Sequence, residues 1–327
     1  MTIKKIAITG AAGNISYSLI FHILSKAIFN ENVKIQLNLL DIKEMMPILQ
    51  AIKYEVEDCA FNILDSITTT YNPEEAFSDA DYILLIGAKP RSKGMERSDL
   101  LLENANIFQQ QAKIINLCAT KATKIIVVGN PANTNALIIQ NYTPNIPNKN
   151  ISSLMKLDQN RAKNILANKL DKSVSTVSKL AIWGNHSTTQ YPNIFHAEIN
   201  NELAIKNSTI DTKWIEKDFI PKIQNRGSEI IKLRGKSSAA SAASAIYDHL
   251  DFIVNGSNDW ESMGILSEGQ YGMTEGIFFS FPMESSGNEF NVIKGLELDE
   301  LSISYIKKSE NELIAEREII KSILMKN

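Results

Sequence analysis

Cysteine is nearly absent: Cys59 and Cys118 are the only two in 327 residues. They lie 59 positions apart, outside any CxxC or Cys/His cluster. That usage suits a reducing compartment and argues against a disulfide framework or a structural zinc site. No run of about 20 apolar residues is present, so no membrane-spanning helix is expected. No block of like charges stands out, and Lys+Arg 34 against Asp+Glu 37 leaves a net charge of −3. A nucleic-acid partner would call for a basic excess, so none is expected. No repeat is visible at a period of about 20–50 residues. The start, Met1-Thr2-Ile3-Lys4-Lys5 and an apolar stretch, imitates a signal peptide, but Gly10, Gly13 and Asn14 interrupt it. The reading is a soluble, cytoplasmic protein.

What is present suits a folded chain with a sizeable core: 44% hydrophobic and 22% charged residues. Disorder is excluded, and the length suggests two domains or one large one. The first half alternates strand and helix signals. Strands fit at Ile3–Thr9, Ile35–Asp41, Ile67–Tyr71, Tyr82–Ile86 and Lys124–Val128. Helices fit from the first glycines to about Ile28, from Pro47 to Phe61 and from Asp99 to about Thr120. This order predicts an α/β fold with a doubly wound parallel sheet covered on both faces. The Pro- and Asn-rich stretch Asn141–Asn150 is the expected domain boundary. Beyond it, helices fit at Leu157–Leu170, Lys213–Leu233, Ala239–Asn255 and Ser304–Met325, with strand-like runs near Leu180, Met263 and Phe278. A second, α+β domain is predicted. Ser237–Ala245, low in complexity, reads as close helix packing.

The first strand ends in Gly10-Ala11-Ala12-Gly13-Asn14-Ile15-Ser16. Gly10 permits a tight turn, and Gly13 lets the backbone approach a pyrophosphate at a helix N-terminus. The pattern is G-x-x-G-x-x-S, and a turn without a ligand is the alternative. Asp41 ends the second strand, where a carboxylate can accept ribose hydroxyls and repel a 2′-phosphate. It lies 28 residues past Gly13, against a usual ~20. A turn or cap aspartate is the bland reading; if a dinucleotide binds, it is NAD. Short-chain reductases share the Thr9-Gly10 start but need Tyr-x-x-x-Lys. None of the nine tyrosines has a lysine four positions on.

Arginine is also scarce: six residues, Arg91, Arg97, Arg161, Arg226, Arg234 and Arg317, against 28 lysines. Against that background the arginines mark places where lysine does not substitute, because the planar guanidinium fork binds a carboxylate through two parallel hydrogen bonds and lysine cannot. Arg91 and Arg97 bracket a loop after the fourth strand, where ligands of doubly wound sheets bind, and Gly94 could hinge it; an ordinary solvated loop is the alternative. Asp158 and Arg161 share one helix face at i, i+3; an intrahelical ion pair is the simpler reading. His186, in Trp183-Gly184-Asn185-His186-Ser187, follows a strand. A structural role is one reading; pairing with an aspartate, which raises its pKa and fixes its tautomer, is the other.

Taken together these stretches resemble the malate dehydrogenases, in the cytosolic-type branch of the lactate/malate dehydrogenase family, over essentially the whole chain. The matching residues are Thr9–Gly13, Pro90-Arg91 with Gly94–Arg97, Val127–Asn135, Leu157-Asp158 with Asn160–Lys163, Ile182–Ser187 and Thr189–Pro192. Gln224 with Arg226-Gly227, Ser237–Ala239 and Ser280–Pro282 complete the match.

The resemblance implies an N-terminal Rossmann domain binding NAD over residues 1–150 and a C-terminal α+β catalytic domain over 151–327. It implies reversible oxidation of L-malate to oxaloacetate, a step of the tricarboxylic acid cycle, and a homodimer. His186 would be the proton acceptor and donor, oriented by Asp158. Arg161 would grip the C1 carboxylate, Arg97 would polarise the C2 carbonyl from a closing loop, and Arg91 would hold the distal carboxylate. Asn130 would bond substrate near the nicotinamide. Gly10, Ala11, Ala12, Gly13, Asn14, Ile15, Ser16, Asp41, Asn104, Gln111, Val128, Gly129 and Asn130 would line the cofactor site; no metal is implied. The sequence departs from the family at Ser16 (usually alanine), Ser92 and Lys93 (usually Arg-Asp), Ala240 (usually methionine) and mildly at Tyr271–Thr274. No catalytic group is lost. Three guanidiniums suit a substrate with two carboxylates and one reacting oxygen. An unreactive dinucleotide-binding protein and a different 2-hydroxy acid dehydrogenase are the alternatives.

Overall fold

The structure is a computed structural model that describes residues 2–26, 28–90, 96–287 and 289–324. These form two compact units. The first comprises Met1–Ser153, Gly276–Phe278 and Ile314–Asn327, and the second Leu154–Glu275 and Phe279–Leu313.

In the first unit, β1 (Thr2–Thr9), α1 (Asn14–Ser25), β2 (Val33–Leu40), α2 (Met46–Asp58) and β3 (Leu64–Thr70) follow in turn. Then come α3 (Pro73–Phe77), β4 (Tyr82–Leu85), α4 (Arg97–Cys118), β5 (Lys124–Val127), α5 (Ala132–Tyr142) and β6 (Ile151–Leu154). The strands pair in parallel in the order β6-β5-β4-β1-β2-β3. This is the doubly wound sheet that the alternating sequence predicts. The central strands bury both faces, as the apolar runs Ile6-Ala7-Ile8, Ile83-Leu84-Leu85 and Ile125-Ile126-Val127 require. Strand order reverses between β1 and β4, the switch point beside which doubly wound sheets bind ligands at the carboxyl ends of their strands.

α3, α5 and β6 are not among the elements expected from the sequence. In α5 the string Ala132-Asn133-Thr134-Asn135 has turn-like chemistry, yet its side chains are buried with partners. Asn133 Nδ2 donates to Phe278 O at 3.1 Å, Asn135 Nδ2 to Gly129 O at 2.8 Å, and Thr134 Oγ1 to Glu316. Buried polar groups with partners do not break a helix. Gln109 Nε2 and the Tyr142 hydroxyl both donate to Ile323 O, so the chain's last turns belong to the first unit.

The second unit opens with α6 (Lys156–Lys169). It continues through short strands β7 (Val177–Ser178), β8 (Ala181–Trp183), β9 (Tyr191–Asn193), β10 (Glu198–Ile199) and β11 (Glu202–Leu203). A brief α7 (Thr212–Trp214) runs through a wide turn into α8 (Ile220–Arg234), followed by α9 (Ala240–Asn255). The unit ends with β12 (Ser257–Leu266), β13 (Phe278–Gly287) from Phe279 onward, β14 (Glu289–Val292) and α10 (Glu300–Ile319) as far as Leu313. β8 and β9 pair antiparallel, as do β13 and β14, and β10 lies antiparallel between β7 and β11. Ala242, Ala243 and Ala245 of α9 are buried, in keeping with the close helix packing read from that tract. No helix among the described residues is long and apolar enough to cross a membrane.

Candidate functional site

The expected site residues fall in both units. In the first, the β1–α1 loop is built by backbone crowding. Gly10 has φ +62°, and a Cβ there would lie 2.6 Å from Gly87 Cα, so only glycine fits. The buried Thr9 hydroxyl accepts from Ile86 N at 3.0 Å and Gly87 N at 3.1 Å, tying the loops after β1 and β4 together. Ser16 Oγ donates to Gly10 O at 2.8 Å. The third position of the glycine pattern therefore closes the loop with a hydrogen bond.

α1 begins at Asn14 with Gly13 as its N-cap, no side-chain cap bond and no acidic residue in its first turn. Gly13 and Asn14 are exposed, Ala12 and Ile15 half-buried, and Ala11 buried. An uncapped helix start behind a glycine turn presents backbone N–H groups to a pyrophosphate. Asp41 Oδ2 accepts from Ala12 N at 2.9 Å and Oδ1 from Ile42 N at 2.8 Å. The turn-aspartate reading therefore holds in part. Each carboxylate oxygen keeps acceptor capacity for a ribose hydroxyl. These features fit a dinucleotide.

Other expected cofactor residues fall into distinct places. Asn104 is fully buried, with Oδ1 accepting from Lys89 N at 2.8 Å and Nδ2 donating to Lys89 O and Leu100 O, both at 3.1 Å. Its amide braces the loop after β4. Gln111 has a buried side-chain oxygen without a hydrogen-bond partner among the described residues. Val128 and Gly129 are buried at the end of β5, and Asn130 is exposed. Arg91, Ser92, Lys93, Gly94 and Met95 lie outside the described residues, as does the side chain of Arg97, the residue that opens α4.

In the second unit, α6 and the β8–β9 loop bring together Asp158, Arg161 and His186. Asp158 is 0% exposed. Its Oδ1 accepts from Arg161 Nη1 at 3.1 Å, and its Oδ2 is bonded to His186 Nδ1. Both sequence readings of Asp158 are therefore realised at once: an i, i+3 ion pair and a histidine partner. Arg161 Nη2 also donates to Ser238 Oγ at 3.3 Å. Arg161 borders an open cavity of about 430 Å³ that Arg226 and Ser241 also line.

The electrostatics follow from the geometry. Burial alone would lower the His186 pKa, but the charge and hydrogen bond of Asp158 outweigh both burial and Arg161, and the net shift is upward. Burial would raise Asp158, yet the His186 charge and hydrogen bond, Arg161 and a hydrogen bond from Gln190 hold it below the usual carboxylate range. Gln190 and Ser238 both lie in matched stretches, but nothing in the sequence says that their side chains meet Asp158 and Arg161. A second buried pair precedes them: Lys156 meets Glu261, and burial lowers the lysine to about 8.

Residues 4–152 match the lactate/malate dehydrogenase NAD binding domain, and residues 155–323 the lactate/malate dehydrogenase alpha/beta C-terminal domain. Among solved structures, malate dehydrogenase from Naegleria fowleri is 41% identical with a TM-score of 0.96, over 99% of each chain. Trichomonas vaginalis lactate dehydrogenase in complex with NADH and oxamate is 33% identical with a TM-score of 0.92, over 98% of this chain and 99% of that one. Plasmodium falciparum malate dehydrogenase, at 22% identity and a TM-score of 0.85 over 98% of this chain and 100% of that one, shares the fold. A glycine turn shaped for a pyrophosphate, a histidine paired with a buried aspartate and two domain matches that account for nearly every residue lead to one conclusion: this chain belongs to the lactate/malate dehydrogenase family, and its chemistry is that of an NAD-dependent 2-hydroxy-acid dehydrogenase.

Proposed function

We propose that the chain is a malate dehydrogenase, interconverting L-malate and oxaloacetate. The observation that carries the proton chemistry is the shared carboxylate of Asp158, one oxygen on His186 and the other on Arg161. Nδ1 of His186 is engaged by Asp158, so proton exchange with substrate falls to Nε2. In malate oxidation His186 takes the C2 hydroxyl proton, and the imidazolium is stabilised by the buried aspartate. In oxaloacetate reduction His186⁺ returns that proton to the alkoxide oxygen as it forms. When bound, NAD supplies the redox chemistry, taking or giving a hydride. Gly10, Gly13 and Asp41, with Ala12, Asn14 and Ile15 beside them, would hold its pyrophosphate and ribose. Arg161, with five donors in a fixed fork, binds the C1 carboxylate while keeping Asp158. Arg97 stabilises the developing charge at the C2 oxygen, and Asn130 adds a hydrogen bond to the substrate.

Malate over lactate rests on Arg91, whose guanidinium pairs with a second carboxylate that lactate lacks. The likeness to the Naegleria fowleri malate dehydrogenase supports this choice. Lactate is the second reading, favoured by the likeness to the Trichomonas vaginalis lactate dehydrogenase. We assign NAD binding to the first domain and substrate binding to the second, and propose a cytoplasmic homodimer. The test is Arg91→Gln. The ratio of kcat/KM for oxaloacetate to that for pyruvate should fall by about a hundredfold or more, since a charge-paired carboxylate contributes ~3 kcal/mol. An unchanged ratio would remove Arg91 from substrate selection and bring lactate forward.

A further inference from the structure

His186 sits on the loop between β8 and β9, and a catalytic side chain on a loop needs that loop fixed. One side of the loop is held by the sheet. Gly184 N donates to Ser280 O at 3.1 Å, and Ser280 N donates back to Gly184 O at 2.9 Å. The other side is held by α10. Ser309 Oγ, fully buried, accepts from Asn185 N at 2.7 Å and bonds Thr189 Oγ1 at 3.0 Å. One turn further on, a single oxygen of Glu312 collects three donors from the same loop. These are Asn185 Nδ2 at 3.0 Å, Thr189 Oγ1 at 2.6 Å and the Ser187 hydroxyl. Gly184, at φ +95°, allows this approach, because a Cβ there would collide with the Ser309 side chain. Both neighbours of His186 in the chain, Asn185 and Ser187, are therefore tied to the same carboxylate oxygen.

We propose that Glu312 is a positioning residue for catalysis: it fixes the His186 loop from α10 so that the imidazole meets Asp158 on one side and the reacting oxygen on the other. Three bonds converge on one acceptor, so the reach of the side chain decides whether they form together. The proposal deepens the reading of His186 as proton donor and acceptor, and it holds whichever 2-oxo acid is the substrate.

The test compares Glu312→Ala, Glu312→Gln and Glu312→Asp with the wild type. NADH oxidation is followed at saturating NADH with oxaloacetate and, separately, pyruvate. Turnover by the wild type with neither acid would sink the underlying reading of the site before Glu312 is at issue. With an active wild type, Glu312→Ala should lose about ten- to a hundredfold in kcat, as expected for a misplaced catalytic group. Its affinity for NADH, from fluorescence titration, should stay within about twofold. The deuterium isotope effect on kcat with NADH labelled at the transferred position should rise as the chemical step becomes limiting. Glu312→Gln keeps the reach and an acceptor oxygen and should recover most of kcat. Glu312→Asp keeps the charge, loses the reach and should resemble the alanine variant. If alanine fails to fold, the glutamine–aspartate pair decides alone. Full kcat with an unchanged isotope effect in the alanine or aspartate variant would overturn the proposal, as would an active aspartate beside an inactive glutamine.

Discussion

Replacing Asp158 by asparagine isolates what the buried carboxylate does for His186. The side chain keeps its size and one acceptor, but the site loses a negative charge that Arg161 and His186 share. Asparagine presents an oxygen to one partner and an NH₂ to the other. An oxygen facing Arg161 leaves the amide donating to His186 Nδ1, which selects the tautomer with its proton on Nε2, the wrong one for a base. An oxygen facing His186 keeps the tautomer but sets the NH₂ against the guanidinium. In both cases the imidazolium loses its counter-charge, while burial and Arg161 still oppose it, so the His186 pKa should fall below its ordinary 6.5. Each unit of fall corresponds to about 1.4 kcal/mol. With the tautomer penalty added, kcat should drop by about 10³- to 10⁴-fold, or ~4–5.5 kcal/mol. NADH affinity should be preserved, because the dinucleotide loop belongs to the other unit. The assay is stopped-flow NADH oxidation across pH, with the Kd for NADH from fluorescence. A kcat within tenfold of the wild type and an unmoved pH profile would refute the argument.

Two further outcomes follow from the same geometry. Gly10→Ala places a Cβ against Gly87 at positive φ; it should cost about 1–3 kcal/mol of stability and weaken NADH binding, measured by thermal melts and titration. The raised His186 pKa gives opposite pH dependences. Reduction needs the imidazolium and should fall as pH rises through a pKa above 6.5, while oxidation needs the neutral ring and should rise through it. In stability terms, the His186 contribution is fully present below 6.5 and lost as pH rises through its folded pKa. That of Asp158 is present above 3.8 and lost as pH falls through its lowered one. A single shared inflection below 6.5 in both directions would contradict the assignment.

Much of the fold was legible because a parallel sheet announces itself. Ile6-Ala7-Ile8 and Ile125-Ile126-Val127 are short, continuous apolar runs separated by helical periodicity. α5 was not legible, because Asn133, Thr134 and Asn135 find buried partners far away in sequence. The residues of the candidate cluster could be named from the family resemblance, and Asp158 and Arg161 were visible as an i, i+3 pair. What holds them was hidden. Glu312 lies 126 positions from His186, on a helix that the sequence places at Ser304–Met325 without singling this residue out. Ser238 lies in a tract that reads as simple helix packing. Such pairings depend on tertiary closeness, and no local periodicity encodes them.

The most direct test of the account is the steady-state loss of NADH absorbance with the purified protein, given oxaloacetate or pyruvate and repeated with NADPH. Rapid turnover with oxaloacetate and NADH, little with pyruvate and little with NADPH, is the result the account predicts, joining the roles of His186, Arg91 and Asp41. Equal or faster turnover with pyruvate, or silence with both acids despite NADH binding, would contradict it.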